Sequence, residues 1–410
     1  MYPTTPDTVP SSHPEPLENF KLRERNLQSL RIWLVHDWLT GMRGGERVLL
    51  QLVRLFPQAK IATLFYVPGR TNCEIESRIA AVSFLQNFPR IDLHYRRLLP
   101  LMFSAIQSVE LTPCDLVIST SHCVAKNIGV PQGARHLCHC FTPMRYIWDM
   151  QEDYLATQPN EGLKTVLKMA SPWLRQLDLA GNQGVDRFVG TCRNVCRRIA
   201  RCYHRPATTI YSPIDDDFYE PSGRPPGDFY LVVSALVPYK RVDLAVRAFA
   251  ADRKRRRLII IGTGPELPAL QRLARTSSAG RIQFLQWQDD ASVRWHYQHC
   301  QALIFPGEED FGLTPLEVQA CGRPVIAYNR GGIQETAIPL CTDGSNRDQA
   351  GAIFFSNPTA ESLTDAIDRY EAVREQFNST VLRANAQRFN IAQFRREICR
   401  VSGELLGNKA

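Results

Sequence analysis

Two series of short apolar strands alternating with helices, separated by one Pro- and Gly-rich stretch, leave this chain few folds. In the first series strands read at 31–36, 61–66, 116–119, 136–141 and 187–190, with helices at 46–55, 171–181 and 194–203. In the second, strands read at 229–234, 258–261, 282–285, 302–305 and 324–328, with helices at 241–250, 266–275 and from about residue 314. Strand–helix–strand alternation gives a parallel sheet with helices on both faces. At 410 residues the chain is too long for one such domain and suits two. The texture breaks at Tyr211-Ser212-Pro213-Ile214-Asp215, which leads into the Pro- and Gly-rich 220–228. The division is therefore a flexible arm over 1–30, a first Rossmann-like α/β domain over 31–212, a hinge over 213–228 and a second over 229–387. A last helical stretch, 392–406 within 388–410, has the length to pack on either domain.

Composition closes off several classes. Hydrophobic residues make up 44% and charged residues 22%, as in soluble globular proteins. No apolar run approaches the length of a membrane span. The Pro-, Ser- and Thr-rich start lacks the apolar core of a secretory signal, and with twelve Cys this points to a reducing cytoplasm. The net charge of +8 gathers at Arg253-Lys254-Arg255-Arg256-Arg257, at Arg96-Arg97 and from Arg193 to Arg205. Such runs are solvated surface, or they attract anionic lipid and diphosphates; any membrane contact would be peripheral, at the inner face. The 253–257 run abuts an apolar strand and reads as solvated. No nucleic-acid motif accompanies the charge, so no nucleic-acid partner is expected.

Two metal-like clusters and one dinucleotide-like turn read as ordinary structure. His136, Cys138, His139 and Cys140 lie in a strand, where alternation puts the two thiols on one face and His139 on the other. Asp215-Asp216-Asp217 sits in the hinge. Gly262-Thr263-Gly264 lacks the third glycine of a dinucleotide fingerprint. No metal and no cofactor are expected.

The chemistry concentrates in PGEEDFGLTPLEVQACGRPVIAYNRGGIQE, residues 306–335. Glu309 and Glu317 flank a glycine-containing loop between a strand and a helix. Backbone N–H groups and the helix dipole there favour an anion, and the carboxylates accept hydrogen bonds from sugar or ribose hydroxyls. Thr314-Pro315-Leu316-Glu317 also fits a capping box, in which Glu317 would serve the helix alone. Gly44 and Gly45, after the first strand, fit a turn needing positive φ.

This segment resembles the family 4 retaining glycosyltransferases, in their bacterial mannosyltransferase-like branch. VHDWLTGMRGGERVL at 35–49, STSHCVAKNIGVPQGARHLCHCFTPMRYIWD at 119–149 and SALVPYKRVDLAVRAF at 234–249 extend the likeness in the same order. The resemblance implies two Rossmann-like domains facing across a cleft, the GT-B architecture, with the C-terminal helix crossing back to the first. It implies transfer of a hexose, foremost mannose from GDP-mannose, to a glycan or lipid-linked acceptor. His122, Glu309 and Lys240 would be catalytic. Glu309 would stabilise charge at the anomeric carbon, Lys240 the departing diphosphate, and Glu317 would hold the ribose. Gly44, Gly45, Arg241 and the backbone N–H groups of Phe311, Gly312 and Leu313 would also hold the donor. Asp37, Arg145, Tyr146, Trp148 and Asp149 would lie on the acceptor side. One departure stands out: the second phosphate-binding Arg, expected five residues before Lys240, is Ala235. It keeps open a catalytically silent nucleotide-sugar-binding subunit. An epimerase or phosphorylase on the same architecture is the other alternative, although no cofactor-lysine motif supports a phosphorylase.

Overall fold

The computed structural model describes residues 17–149, 151, 161–275 and 280–407. The first sheet has seven parallel strands: β1 (Ile32–His36), β2 (Lys60–Thr63), β3 (Ile79–Val82), β4 (Leu116–Ser121), β5 (Arg135–Cys140), β6 (Arg187–Gly190) and β7 (Ala207–Thr209), in the order β3-β2-β1-β4-β5-β6-β7. The second has six: β8 (Phe229–Val233), β9 (Arg257–Ile261), β10 (Ile282–Gln286), β11 (Leu303–Phe305), β12 (Val325–Tyr328) and β13 (Ala352–Phe355), in the order β10-β9-β8-β11-β12-β13. Both are doubly wound α/β sheets, as the alternation predicts. On β1, Ile32 and Leu34 enter the core on one face, and Trp33 and Val35 that on the other. In each sheet the strand order reverses beside the first strand, between β1 and β4 and between β8 and β11. Loops leaving such a switch point at the carboxyl ends of the strands open the crevice where ligands bind.

The ends of the chain depart from a simple two-part division. Leu17–Gln28 is a helix, not part of a flexible arm, and Leu27 is fully buried. It packs on the last helix, Ile391–Leu406, which also rests on helix Gly44–Leu55 and on β5. Phe394, Ile398 and Val401 enter the same core as Leu34, Leu49 and Leu52. The last helix therefore covers the first sheet, and the chain crosses between the halves twice. Ile214, on the outward crossing, donates its N–H to the Phe389 carbonyl at 2.9 Å on the return.

The basic run at 253–257 is not a solvated surface as a whole. The Arg256 guanidinium is buried among three carboxylates: Asp252 at 2.9 Å, Glu371 at 2.7 Å, and Asp368. Lys254 joins Asp368 and Glu371, and Arg257 pairs with Asp228. The cluster ties the loop before β9 to helix Ala360–Val373. Its charge is spent inside the second domain. The side chains of Arg96 and Arg97 lie outside the described residues.

Candidate active site

Asp37 is the first residue past β1, and its carboxylate is fully buried. It accepts N–H groups from His122 at 2.7 Å, Cys123 at 3.0 Å and Ala125 at 2.6 Å, the residues just past β4. His122 Nδ1 lies 3.0 Å from the same carboxylate. Burial alone would raise the Asp37 carboxyl. The His122 charge and these hydrogen bonds outweigh it and hold the group far below the usual carboxylate range. The carboxylate thus fixes the His122 ring with Nδ1–H turned inward and Nε2 free to face the cleft. Trp38 packs edge-on against it, with ring centroids 4.7 Å apart. His122 keeps about a third of its side chain exposed. Burial pushes His36, His136 and His139 down to about 4, so these three stay neutral near pH 7.

The second switch point brings Lys240 and Glu309 together. Lys240 ends the single turn Pro238–Lys240 after β8, and Glu309 follows β11; their side chains form an ion pair, each largely buried. Gly307 makes this approach possible, because a Cβ there would stand 2.7 Å from the Lys240 carbonyl oxygen. Gly331 and Gly332 support the other side: a Cβ on either would stand 2.2 Å from the carbonyl oxygen of Glu309 or Asp310. Gly262 and Gly264, which resembled a cofactor turn, have the same task. A Cβ on them would meet the Ser234 and Leu236 carbonyl oxygens at 1.8 and 2.2 Å, so their lack of side chains lets the Lys240 loop sit down.

The helix between the two glutamates is Leu313–Ala320. Its N-cap is Gly312, at φ 85° in the left-handed region that favours glycine, and no side chain caps it. The capping-box reading of Thr314 to Glu317 is therefore wrong: Glu317 lies inside the helix, beyond reach of its first N–H groups. Those groups stay available to an anion beside Lys240. Glu317 is buried and accepts the Tyr297 hydroxyl at 2.9 Å. Burial raises its carboxyl, and the Arg47 charge and the Tyr297 bond only partly offset this.

Other expected site residues take different places. Gly44 and Gly45 open helix Gly44–Leu55 without positive φ, so the turn reading fails. A Cβ on Gly44 would stand 3.0 Å from Leu313 Cδ1 across the cleft, so close approach of the two halves is what needs glycine there. Gly45 faces the Phe141 ring. Phe311 turns its ring into the junction of the halves, against Tyr211 and Phe389, leaving only its backbone to face a ligand. Arg241 is at φ 50° with Nε 3.2 Å from Asp243, so it is engaged within its own helix.

The residues expected on the acceptor side are committed to protein contacts. Arg145 pairs with Asp310, through Nε at 2.8 Å, and Arg198 pairs with Asp310 and with Asp149 at 2.5 Å. Burial would raise Asp310; the two guanidinium charges hold it below its ordinary value. Trp148 donates to Asp178 at 2.9 Å and Tyr146 to the Cys123 sulfur at 2.8 Å. Asp37 likewise serves His122 rather than an acceptor. Arg145, Asp149 and Arg198 form a latch from the first domain onto Asp310 of the second. Glu335 adds another: its carboxylate accepts the Arg193 and Asn194 N–H groups at 2.9 and 2.8 Å, at the start of helix Arg193–Tyr203.

The sequence reading missed Arg47. It reaches from helix Gly44–Leu55 across the cleft to Asp290 at 2.6 Å and the Tyr219 hydroxyl at 3.3 Å, and its charge acts on Glu317. Its position, two residues past a glycine pair ending a strand loop, is the signal that could have found it. Among the described residues, no three His, Cys, Asp or Glu side chains converge as metal ligands, and no helix is long and apolar enough to cross a membrane.

Residues 217–387 match the family model of glycosyl transferases group 1. An alpha-1,3/1,6-mannosyltransferase of Dictyostelium discoideum is 33% identical over 112 residues, 27% of this chain and 24% of that protein. A GDP-mannose-dependent alpha-(1-6)-phosphatidylinositol monomannoside mannosyltransferase of Mycolicibacterium smegmatis is 33% identical over 126 residues, 27% of this chain and 33% of that protein. The chain thus spans about a quarter to a third of the length of these relatives. In fold the likeness covers nearly everything. Anabaena HepE in complex with UDP-glucose has TM-score 0.66 at 14% identity, over 91% of this chain and 99% of that one. A sucrose-phosphate synthase of Thermosynechococcus elongatus has TM-score 0.68 at 16% identity, over 92% and 100%.

Proposed function

We propose that this chain, a GT-B glycosyltransferase by its glycosyl transferases group 1 domain and its two-domain fold, moves a hexose from a nucleotide sugar to an acceptor hydroxyl with retention at the anomeric carbon. The observation that carries the reading is the meeting of both switch points: His122 held by Asp37 on one side, and Lys240, Glu309 and an uncapped helix N-terminus on the other. As the bond to the diphosphate breaks, negative charge grows on the leaving oxygen, where Lys240 and the first N–H groups of helix Leu313–Ala320 stabilise it. Glu309 faces the positive charge growing at the anomeric carbon. Paired with Lys240, it acts by its charge and not as a nucleophile. Glu317 accepts from the ribose. The reading asks for no metal ion, since a lysine and a helix dipole supply the positive charge.

Mannose is the preferred sugar, supported by the GDP-mannose-dependent relatives from Mycolicibacterium smegmatis and Corynebacterium glutamicum. The test is a panel of nucleotide sugars with purified protein, read as nucleotide diphosphate release and glycosylated product. GDP-mannose should give the fastest release; turnover of a UDP-sugar alone would replace the donor, and no release from any donor would leave the silent binding subunit.

Glu317→Ala separates ligand binding from folding. It should weaken nucleotide binding by about 1–3 kcal/mol, the scale of hydrogen bonds to a charged acceptor. Because Gly312 and not Glu317 ends the helix, no capping energy is lost. Calorimetric titration with GDP and a thermal melt check both halves. A melt lowered with unchanged affinity would give Glu317 a structural role only.

A further inference from the structure

The diphosphate side of the cleft is short of positive charge. Ala235 stands where a second cation is expected, exposed in the loop between β8 and the turn Pro238–Lys240. Lys240 is paired with Glu309, so the two together bring no net charge to a departing diphosphate, whose growing charge has to be met. Two other cations near the donor loops are engaged: Arg241 with Asp243, and Arg47 with Asp290 and Tyr219.

Arg145 is differently placed. It follows β5 on a turn in which the Met144 carbonyl accepts the Ile147 and Trp148 N–H groups at 3.2 and 3.1 Å, and Met144 and Ile147 are buried in the first domain. From this fixed base the side chain crosses to the second domain. Nε, at 2.8 Å, and Nη2 both donate to one oxygen of Asp310. Nη1 makes no hydrogen bond among the described residues, and the side chain keeps 21% of its surface exposed. The guanidinium carbon lies 5.2 Å from the centre of the Tyr239 ring, and Lys240 Nζ lies 5.4 Å from the same centre. Glu309 is near enough for its charge to act on Arg145.

Two like charges set on one ring repel unless an anion joins them. Asp310 only partly meets that need, because Arg198 takes its other oxygen. Arg145, Arg198 and Arg201 face Asp149 and Asp310, three guanidiniums against two carboxylates. This set holds one positive charge in excess, and Arg145 is its member beside Lys240.

We propose that Arg145 is the second diphosphate cation of this chain, supplying from the first domain the charge that position 235 lacks. Nε and Nη2 stay on Asp310 while Nη1 donates to a diphosphate oxygen beside Lys240, a division of labour that the fixed fork of a guanidinium allows and a point charge does not. The donor site is then complete only with both domains in place. This assignment rests on the proposed transferase reading, and it moves Arg145 from the acceptor to the donor.

GDP, UDP and their monophosphates GMP and UMP are titrated into full-length protein by calorimetry. For the base that binds tighter, the ratio of monophosphate to diphosphate Kd reports the grip on the second phosphate. Arg145→Gln should cut that ratio about tenfold or more, the fold-change of one hydrogen bond to a charged group, and affect the monophosphate far less. Asp310 keeps Arg198 in this variant, and thermal melts check its fold. Ala235→Arg added to Arg145→Gln returns a cation to the expected loop and should restore most of the ratio. Arg198→Gln also takes a guanidinium from Asp310 but leaves Arg145, so it should keep the parent ratio. An unchanged ratio in Arg145→Gln, equal weakening of both nucleotides, the same loss of ratio in Arg198→Gln, or a double variant no better than Arg145→Gln overturns the proposal. A parent protein that binds neither diphosphate sinks the donor reading and this assignment together. A parent that binds one, with Arg145→Gln keeping its ratio, overturns Arg145 alone.

Discussion

Lys240→Ala should lower turnover by about a hundredfold or more, the scale of losing one preorganised charge stabiliser in a water-poor site. The effect should fall mainly on kcat, because the charge that Lys240 meets grows as the diphosphate departs and is smaller in the bound donor. The loop that carries it is rigid. Its backbone is pinned by Gly307 on one side and by the approach of Gly262 and Gly264 on the other, so truncating the side chain leaves its surroundings in place. The variant also strips Glu309 of its partner, and an unpaired carboxylate beside the diphosphate site repels the donor. Some loss of donor affinity should therefore accompany the loss of rate. Lys240→Arg should rescue poorly, since a planar guanidinium with fixed donor directions replaces a compact point charge. Steady-state kinetics with saturating donor decide it, and a Lys240→Ala enzyme turning over at the parent rate would move the site elsewhere. With Ala235 in place of a second cation, a first-domain charge lies beside the Lys240 loop: the Arg145 guanidinium stands 5.2 Å from the Tyr239 ring.

Much of this was readable from the chain, and what escaped has physical causes. Most inner strands are short apolar runs that stand out in the sequence, and β4 and β5 are buried even at Ser119, Thr120, His136 and His139. The strands that did not are β3, β7 and β13, each at the edge of its sheet. An edge strand is covered on fewer sides; β3 alternates between partly buried and exposed, and β7 is partly buried throughout, so their apolar runs are weak, whereas β13 is apolar and largely buried and this cause does not apply to it. Helix Glu161–Gly181 was read only from residue 171; Pro172, a residue common at helix starts, lies inside it. At the site, residues tied to backbone geometry were legible in position: His122, Lys240 and Glu309 each follow a strand end, although Gly44 and Gly45 open a helix rather than a turn. Arg145, Tyr146, Trp148 and Asp149 were not. Their contacts run to Asp310, Cys123, Asp178, Arg198 and Arg201, from 23 to 165 residues away, and spacing carries no information about such partners. The capping box failed for a related reason: Gly312 caps the helix two residues before Thr314, which lies inside it.

The second large effect belongs to Asp37, which touches no ligand in this reading. Asp37→Asn should lower the stability of the first domain by roughly 3 kcal/mol, the scale of breaking a buried charge pair, and take transfer activity with it. Both carboxylate oxygens accept backbone N–H groups, Oδ2 from His122 and Cys123 and Oδ1 from Ala125. An amide must turn its own NH₂ towards one of these donors, so at least one buried N–H loses its acceptor. His122 loses the acceptor that orients its ring, and the loop past β4 loses its anchor. The pH dependence identifies the cause. Asp37 is held below its ordinary value of 3.8, so its stabilisation is complete above that value and drains as pH falls below it. The buried His36, His136 and His139 act in a different window. Held at about 4 against an ordinary 6.5, they take up protons on unfolding, and stability declines as pH falls between those values. Thermal melts from pH 7 down to pH 3 should therefore show the variant losing the Asp37 share of the decline below pH 4 while keeping the histidine decline between pH 6.5 and 4. His122→Ala leaves the buried carboxylate its three backbone N–H donors but takes away the His122 charge, so it too should melt lower than the parent, by less than Asp37→Asn, with activity lost. Equal melts for Asp37→Asn and the parent would mean the carboxylate is no anchor, and His122 would need another support.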